Sequence, residues 1–235
     1  MSMDASWKPL FRVGAMANVA VLVLVPIQIV LYVLWPPPST VLDWFTLFQA
    51  HGLIGLMGMD VLLIVGNVLM ALIYLALYAA LRGASPSLMT LAVALEFVAI
   101  ATYFGSNTAF EMLSLSKQYA AAATEVQRGA ILAAGHAMVT SWKQGSAFNV
   151  SYVLGAIATL LTSAAMLRSQ EFGRVTAYVG LVFGVLSLVP ASAGKPGIIF
   201  SLISLVPMWI WLVLIAQRLF QLGRGAALRG RAEVK

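Results

Sequence analysis

Apolar residues along this chain come in long blocks separated by short polar punctuation, and the block lengths predict helices threaded through a bilayer. A hydrocarbon core about 30 Å thick takes about 20 helical residues to cross. The first block covers 13–35, too long for a signal-peptide core and with no small-x-small cleavage pattern after it, so it is expected as a retained helix. Pro36-Pro37-Pro38 stops it. Thr40-Val41-Leu42-Asp43 then fits a capping box opening a short helix through Trp44, Phe45 and Phe48, aromatics that suit the membrane interface. Further spans are expected at 52–81, 88–110, 148–167, 176–190 and 198–220. Arg82-Gly83-Ala84-Ser85-Pro86 is the turn between the second and third, and 191–197 joins the fifth to the sixth. Between spans three and four, 117–142 carries Val126, Ile131, Ala134, Met138 and Trp142 among Gln127, Arg128 and His136, as an amphipathic helix over the outer mouth would. The pattern predicts one all-α polytopic membrane domain over 1–235, a bundle of six transmembrane helices with interfacial helices after span one and between spans three and four.

Composition agrees: 61% of residues are hydrophobic and 9% charged, where a soluble domain carries about 25% charged. The net charge of +6 would suit nucleic acid only if it were gathered on one surface, and the basic residues lie instead at span ends. An even span number puts both termini on one side, together with Lys8, Arg12, Arg82, Arg168, Arg174, Arg218, Arg224, Arg229, Arg231 and Lys235. Lys117, Arg128, Lys143 and Lys195 fall on the other. That excess places both termini in the cytoplasm. With no cysteine, disulfides, thiolate clusters, CxxCH haem attachment and palmitoylation are excluded.

Against this background Asp60 and Glu96 stand out. A carboxylate near the bilayer midplane costs about 2.5 to 3.5 kcal/mol on insertion scales, whereas a Leu or Val returns about 0.3 to 0.6. Asp60, Asn67 and Tyr74 recur at intervals of seven, close to two helical turns, and Glu96, Tyr103, Asn107 and Glu111 at seven, four and four. Each span therefore carries a polar stripe, and the short turn between them makes the two antiparallel neighbours, with Asp60 near the depth of Asn107 and Glu96 between Asn67 and Tyr74. Asn149, Tyr152, Thr159 and Ser163 add a third stripe. Helix-helix glue accounts well for the neutral members. The two carboxylates have no Lys or Arg within their spans, so the candidate ligand-binding set is Asp60, Asn67, Glu96, Tyr103 and Asn107, holding a small cationic or protonatable solute.

No Walker loop, dinucleotide fingerprint, nucleophile elbow or histidine-rich metal set is present. A catalytic residue set and a metal are not expected, and an enzyme acting on lipid or quinone ranks third, after a binding or transport protein and a structural or regulatory subunit docked on another membrane protein or on a second copy. His51 and His136 leave a two-histidine haem open, although exposed interfacial histidines are the simpler account. Gly52, Gly55 and Gly58, and Gly180 with Gly184, read as close-packing faces.

The stretch 110–128, from Phe110-Glu111-Met112 through Thr124-Glu125-Val126-Gln127-Arg128, with Ala133-Ala134-Gly135-His136 and the later Met166-Leu167-Arg168-Ser169 and 172–178, resembles a large prokaryotic family of six-span membrane proteins known only as a domain of unknown function. The resemblance covers most of the chain after about residue 90. It implies six spans in a prokaryotic cell membrane. It implies no active site.

Overall fold

A backbone among apolar side chains must satisfy its own N–H and C=O groups, which the α-helix does within one segment. The computed structural model describes residues 5–225, and no strand occurs among them. After a 3-10 turn at Ala5–Trp7 come α1 (Lys8–Leu34), α2 (Val41–Ala50), α3 (Gly52–Gly58), α4 (Val61–Leu81) and α5 (Pro86–Ser106). They are followed by α6 (Ala109–Ala121), α7 (Glu125–Gln144), α8 (Ser146–Leu167), α9 (Arg174–Leu186) and α10 (Gly194–Gly223). Five segments are long and apolar enough to cross a membrane: Lys8–Leu34, Val61–Leu81, Pro86–Ala121, Glu125–Leu167 and Gly194–Gly223. Helix α9, with 13 residues, is about 20 Å long and shorter than the hydrocarbon core. Met16, Val23, Val30 and Val33 on α1 and Leu202, Val206 and Ile210 on α10 are exposed, surface that lipid tolerates and water does not. The protein is an all-helical, membrane-embedded one.

Two expected spans are not single helices. The run 52–81 divides into α3 and α4, because Asp60 adopts a left-handed backbone (φ 65°) that ends an α-helix. The run 88–110 divides at Asn107 and Thr108, between α5 and α6. There the Asn107 side-chain oxygen accepts the Ala109 N–H at 3.2 Å, a local bond that competes with continuing the helix.

Contacts divide the described chain into two compact units. The first comprises 5–22, Asn67–Ile100 and 152–225. Its buried residues include Phe11, Tyr74, Leu77, Leu81, Met89 and Trp211, and glycines bring its helices close: Gly14 lies against Ala76, and Gly180 against Ser163 and Trp211. Basic residues collect where its helix ends meet. Arg12 Nε donates to Gly223 O at 3.1 Å, and the Arg82 guanidinium lies 4.5 Å from the Trp7 ring centroid. Buried Arg218 donates to the Glu171 backbone oxygen, to its carboxylate at 2.7 Å and to Gln221 Oε1 at 3.0 Å. A buried guanidinium is tolerated only with such a set of acceptors.

The second unit comprises Val23–Gly66 and Ala101–Ser151. The capping position at Thr40 is formed, its hydroxyl accepting the Asp43 N–H at 3.1 Å. Helix α2 is not an aromatic surface belt, however: Trp44, Phe45 and Phe48 are buried and, with Val41, Met59, Met112 and Trp142, make the core of this unit. Glycines make room for the rings. Gly55 lies under Phe48, Gly58 under Trp44, and Gly135 of α7 against Val41 and Phe45. Trp44 and Trp142 meet edge to face, centroids 5.8 Å apart at 88°. On α7, Ile131, Met138 and Trp142 turn to this core while Val126 is exposed.

A Cβ at Gly135 would sit 2.5 Å from Val41 Cγ1 and 2.9 Å from Phe45 Cζ, so Gly135→Ala is expected to destabilise by about 1–3 kcal/mol. Gly66, inside α4 with nothing near its missing Cβ, is the control: Gly66→Ala should stabilise by about 0.5–1 kcal/mol. Thermal melting in detergent checks both signs.

Candidate functional site

The break between α3 and α4 is built by side chains from three other parts of the second unit. Asp60 N–H bonds Met57 O at 3.2 Å, and Asp60 O accepts the N–H groups of Leu63 and Ile64 at 2.9 and 3.3 Å, so this one residue closes α3 and opens α4. The carbonyls at the break receive donors: Gln28 Nε2 bonds Met57 O at 3.1 Å, and Asn107 Nδ2 bonds Met59 O at 2.7 Å. Asn107 thereby gives Met59 O a donor in apolar surroundings, and Gln28 adds a second donor to Met57 O beside the Asp60 N–H.

The left-handed turn leaves the Asp60 carboxylate between α1 and α7. One oxygen accepts the Tyr32 hydroxyl, and the other accepts the indole N–H of Trp142 at 3.0 Å. Hydrogen bonds to an ionised acceptor are about twice as strong as neutral ones. Tyr103 lies close enough to feel the charge of Asp60, and its buried hydroxyl has no hydrogen-bond partner among the described residues. The nearest cation is Lys143, whose ammonium sits 5.3 Å from the Trp142 ring centroid and forms no ion pair with Asp60. Beside this group Leu31, Tyr32, Trp35, Ile54, Met57 and Gly58 line a shallow groove open at the surface.

Of the residues expected to bind, Asp60, Tyr103 and Asn107 fall together in this unit, with Asn107 bonded to the residue before Asp60. Asn67 and Glu96 belong to the first unit. There Glu96 is buried, and the Tyr74 hydroxyl bonds Thr159 at 3.2 Å. The seven-residue stripe from Asp60 to Tyr74 is therefore interrupted, since Asp60 precedes the first residue of α4 and only Asn67 and Tyr74 lie on it. His51 and His136 are both exposed, and among the described residues no three His, Asp or Glu gather around a common point.

Tyr32 and Gln28 were not legible as site residues, although both donate into the break. Their signal is the i,i+4 spacing of two polar residues on one face of an otherwise apolar helix. Trp142 was legible as part of an apolar face, and its indole N–H is what reaches Asp60.

What the geometry defines is a membrane-embedded helical protein with a carboxylate at a helix break. Compared with known proteins, the chain matches no family model, no curated protein and no solved structure.

Tyr32→Phe removes a donor to a charged acceptor and is expected to cost about 1.5–3 kcal/mol, with Trp142→Phe costing at least as much because it loses its donor and part of a buried ring as well. In an Asp60→Asn background the Tyr32→Phe cost should shrink, and a double-mutant cycle of melting free energies measures the difference.

Proposed function

We propose that this chain is a six-span protein of a prokaryotic cell membrane, both termini cytoplasmic, that binds or passes a small cationic or protonatable solute at Asp60. In this reading α9 with the residues after it is the fifth span in chain order, added to the five long apolar segments. The orientation is supported by the basic residues at Arg12, Arg82 and Arg218, which parity assigns to one side and which lie at helix ends of the first unit.

The observation that carries the solute reading is the Asp60 carboxylate itself. It is held by two donors, paired with no cation among the described residues, and accompanied by a buried Tyr103 hydroxyl with nothing to bond. A carboxylate has about four lone-pair directions, and two remain for a ligand after Tyr32 and Trp142 are counted. Tyr32 and Trp35 in the groove offer aromatic faces of the kind that attract alkylammonium groups. A small amine would place its charge on Asp60, a hydrogen bond on Tyr103 and its carbon atoms among Leu31, Ile54 and Met57. Asn107 acts indirectly, by holding the turn. Glu96 and Asn67 belong to the other unit and are not needed for this step.

A second reading rests on the same donors: with Tyr32 and Trp142 already on Asp60, the network serves to lock the helix break of a structural or regulatory subunit. The two readings separate in one experiment. Purified protein in nanodiscs is melted against a panel of small primary and methylated amines and monovalent cations. The solute reading expects at least one probe to raise the melting temperature of the wild type, with that shift lost in Asp60→Asn and weakened in Tyr103→Phe. Asn tolerates the left-handed backbone, so Asp60→Asn removes charge and keeps the turn. No shift with any probe, or an undiminished shift in Asp60→Asn, overturns it.

A further inference from the structure

In the first unit Glu96 sits on α5 with 6% of its surface exposed, forming no hydrogen bond or ion pair with the described residues. The side chains near it are neutral, and Tyr74 of α4 is the titratable group that faces it. On α8, Gly155 presents no side chain. A methyl built there would meet only Glu96 Oε2, at 3.7 Å, so the carboxyl borders a notch. From Gly155 a polar face continues along α8 through Thr159, Thr162 and Ser163, at spacings of four, three and one. Thr159 holds the Tyr74 hydroxyl. Thr162 Oγ1 lies beside that hydroxyl, and Ser163 Oγ and Trp211 Nε1, both close to Gly180, have no hydrogen-bond partner among the described residues.

Buried polar atoms that protein leaves unpaired are ordinarily satisfied by water, provided there is room and more than one polar neighbour. A buried carboxyl with neither cation nor donor exists at lower cost as the neutral acid. We infer that Glu96 is an exchangeable-proton site: its O–H donates to a water lodged in the Gly155 notch, and the hydroxyls of Tyr74, Thr159, Thr162 and Ser163 continue the path along α8. In each exchange the acid O–H breaks as its proton forms a bond to the water oxygen, while the water returns one of its own protons to the other carboxyl oxygen, so the acid is neutral before and after. The water then trades protons with the next hydroxyl in the same two-way fashion. No electrons move, and no second reactant is required. The inference does not rest on the solute reading, since Asp60 takes no part in it.

Infrared spectroscopy of the protein in nanodiscs tests it through the carbonyl stretch of a protonated side-chain acid. The wild type should show such a band at neutral pH, shifting on transfer to D2O; Glu96→Gln should lose it and Asp60→Asn should keep it. Gly155→Ala fills the notch without collision and leaves the acid in place, so the band should persist while its deuterium shift slows by an order of magnitude or more. If Glu96→Gln does not fold, dicyclohexylcarbodiimide replaces it: the acid O–H adds across a C=N bond, oxygen to carbon and proton to nitrogen, and because the adduct keeps a carbonyl but no acid O–H, modification of the Glu96 peptide must abolish the deuterium-sensitive band. The inference is overturned by a missing band, by a band that does not shift in D2O, by a band lost in Asp60→Asn, by persistence after Glu96 is replaced or modified, or by Gly155→Ala exchanging as fast as wild type.

Discussion

A helix interrupted within an apolar run leaves carbonyl and amide groups that its surroundings cannot bond, and the second unit is arranged around meeting that demand at Met57–Asp60. Gln28 and Asn107 supply the donors for the two carbonyls, and Asp60 joins the end of α3 to the start of α4 through its own backbone. An unpaired Met59 carbonyl would cost about 1–3 kcal/mol, so Asn107 is not replaceable by an apolar residue without a change of backbone, whereas Met57 O keeps the Asp60 N–H when Gln28 is lost. The carboxylate is a consequence of the same turn: the left-handed conformation suits Asp, Asn or Gly, and Asp adds a charge that the turn does not need.

Packing carries that turn to the rest of the unit. Trp142 bonds Asp60 through its indole N–H and meets Trp44 edge to face, so α7 reaches the break and the aromatic core with one side chain. The close approaches at Gly55, Gly58 and Gly135 let α2 lie among α3 and α7, and place the rings of Trp44, Phe45 and Phe48 inside. A core of this kind is rigid because its rings have few rotamers and fill the space the glycines leave. An amine at Asp60 would therefore meet an acceptor already oriented by Tyr32 and Trp142.

The helical membrane character was plain in the sequence because block length and composition are properties of single segments. The cap at Thr40, the close-packing role of Gly55 and Gly58 and the candidate status of Asp60 were legible for the same local reason. The breaks at Asp60 and Asn107 were not, since hydropathy averages over an isolated polar residue and carries no backbone torsion. Nor was the burial of Trp44, Phe45 and Phe48: aromatics after a proline stop suit an interface equally well, and only the partners on α3 and α7 decide. Counting outward from the short turn put Asn107 at the depth of Asp60, and helical spacing put Tyr103 on the same stripe as Asn107, but the spacing overreached where it ran through the break to Asn67. Tyr32 escaped because a tyrosine in a span reads as packing until its hydroxyl is given something to bond.

The central claim is that the Asp60 carboxylate and the Tyr103 hydroxyl are kept apart for a third group. A high-resolution experimental density map of the protein in nanodiscs, recorded with a saturating small amine, tests this most directly. The account predicts non-protein density within hydrogen-bonding distance of both side chains, with Tyr32 and Trp142 still on Asp60. Direct contact between Tyr103 and Asp60, with no density between them, would contradict it.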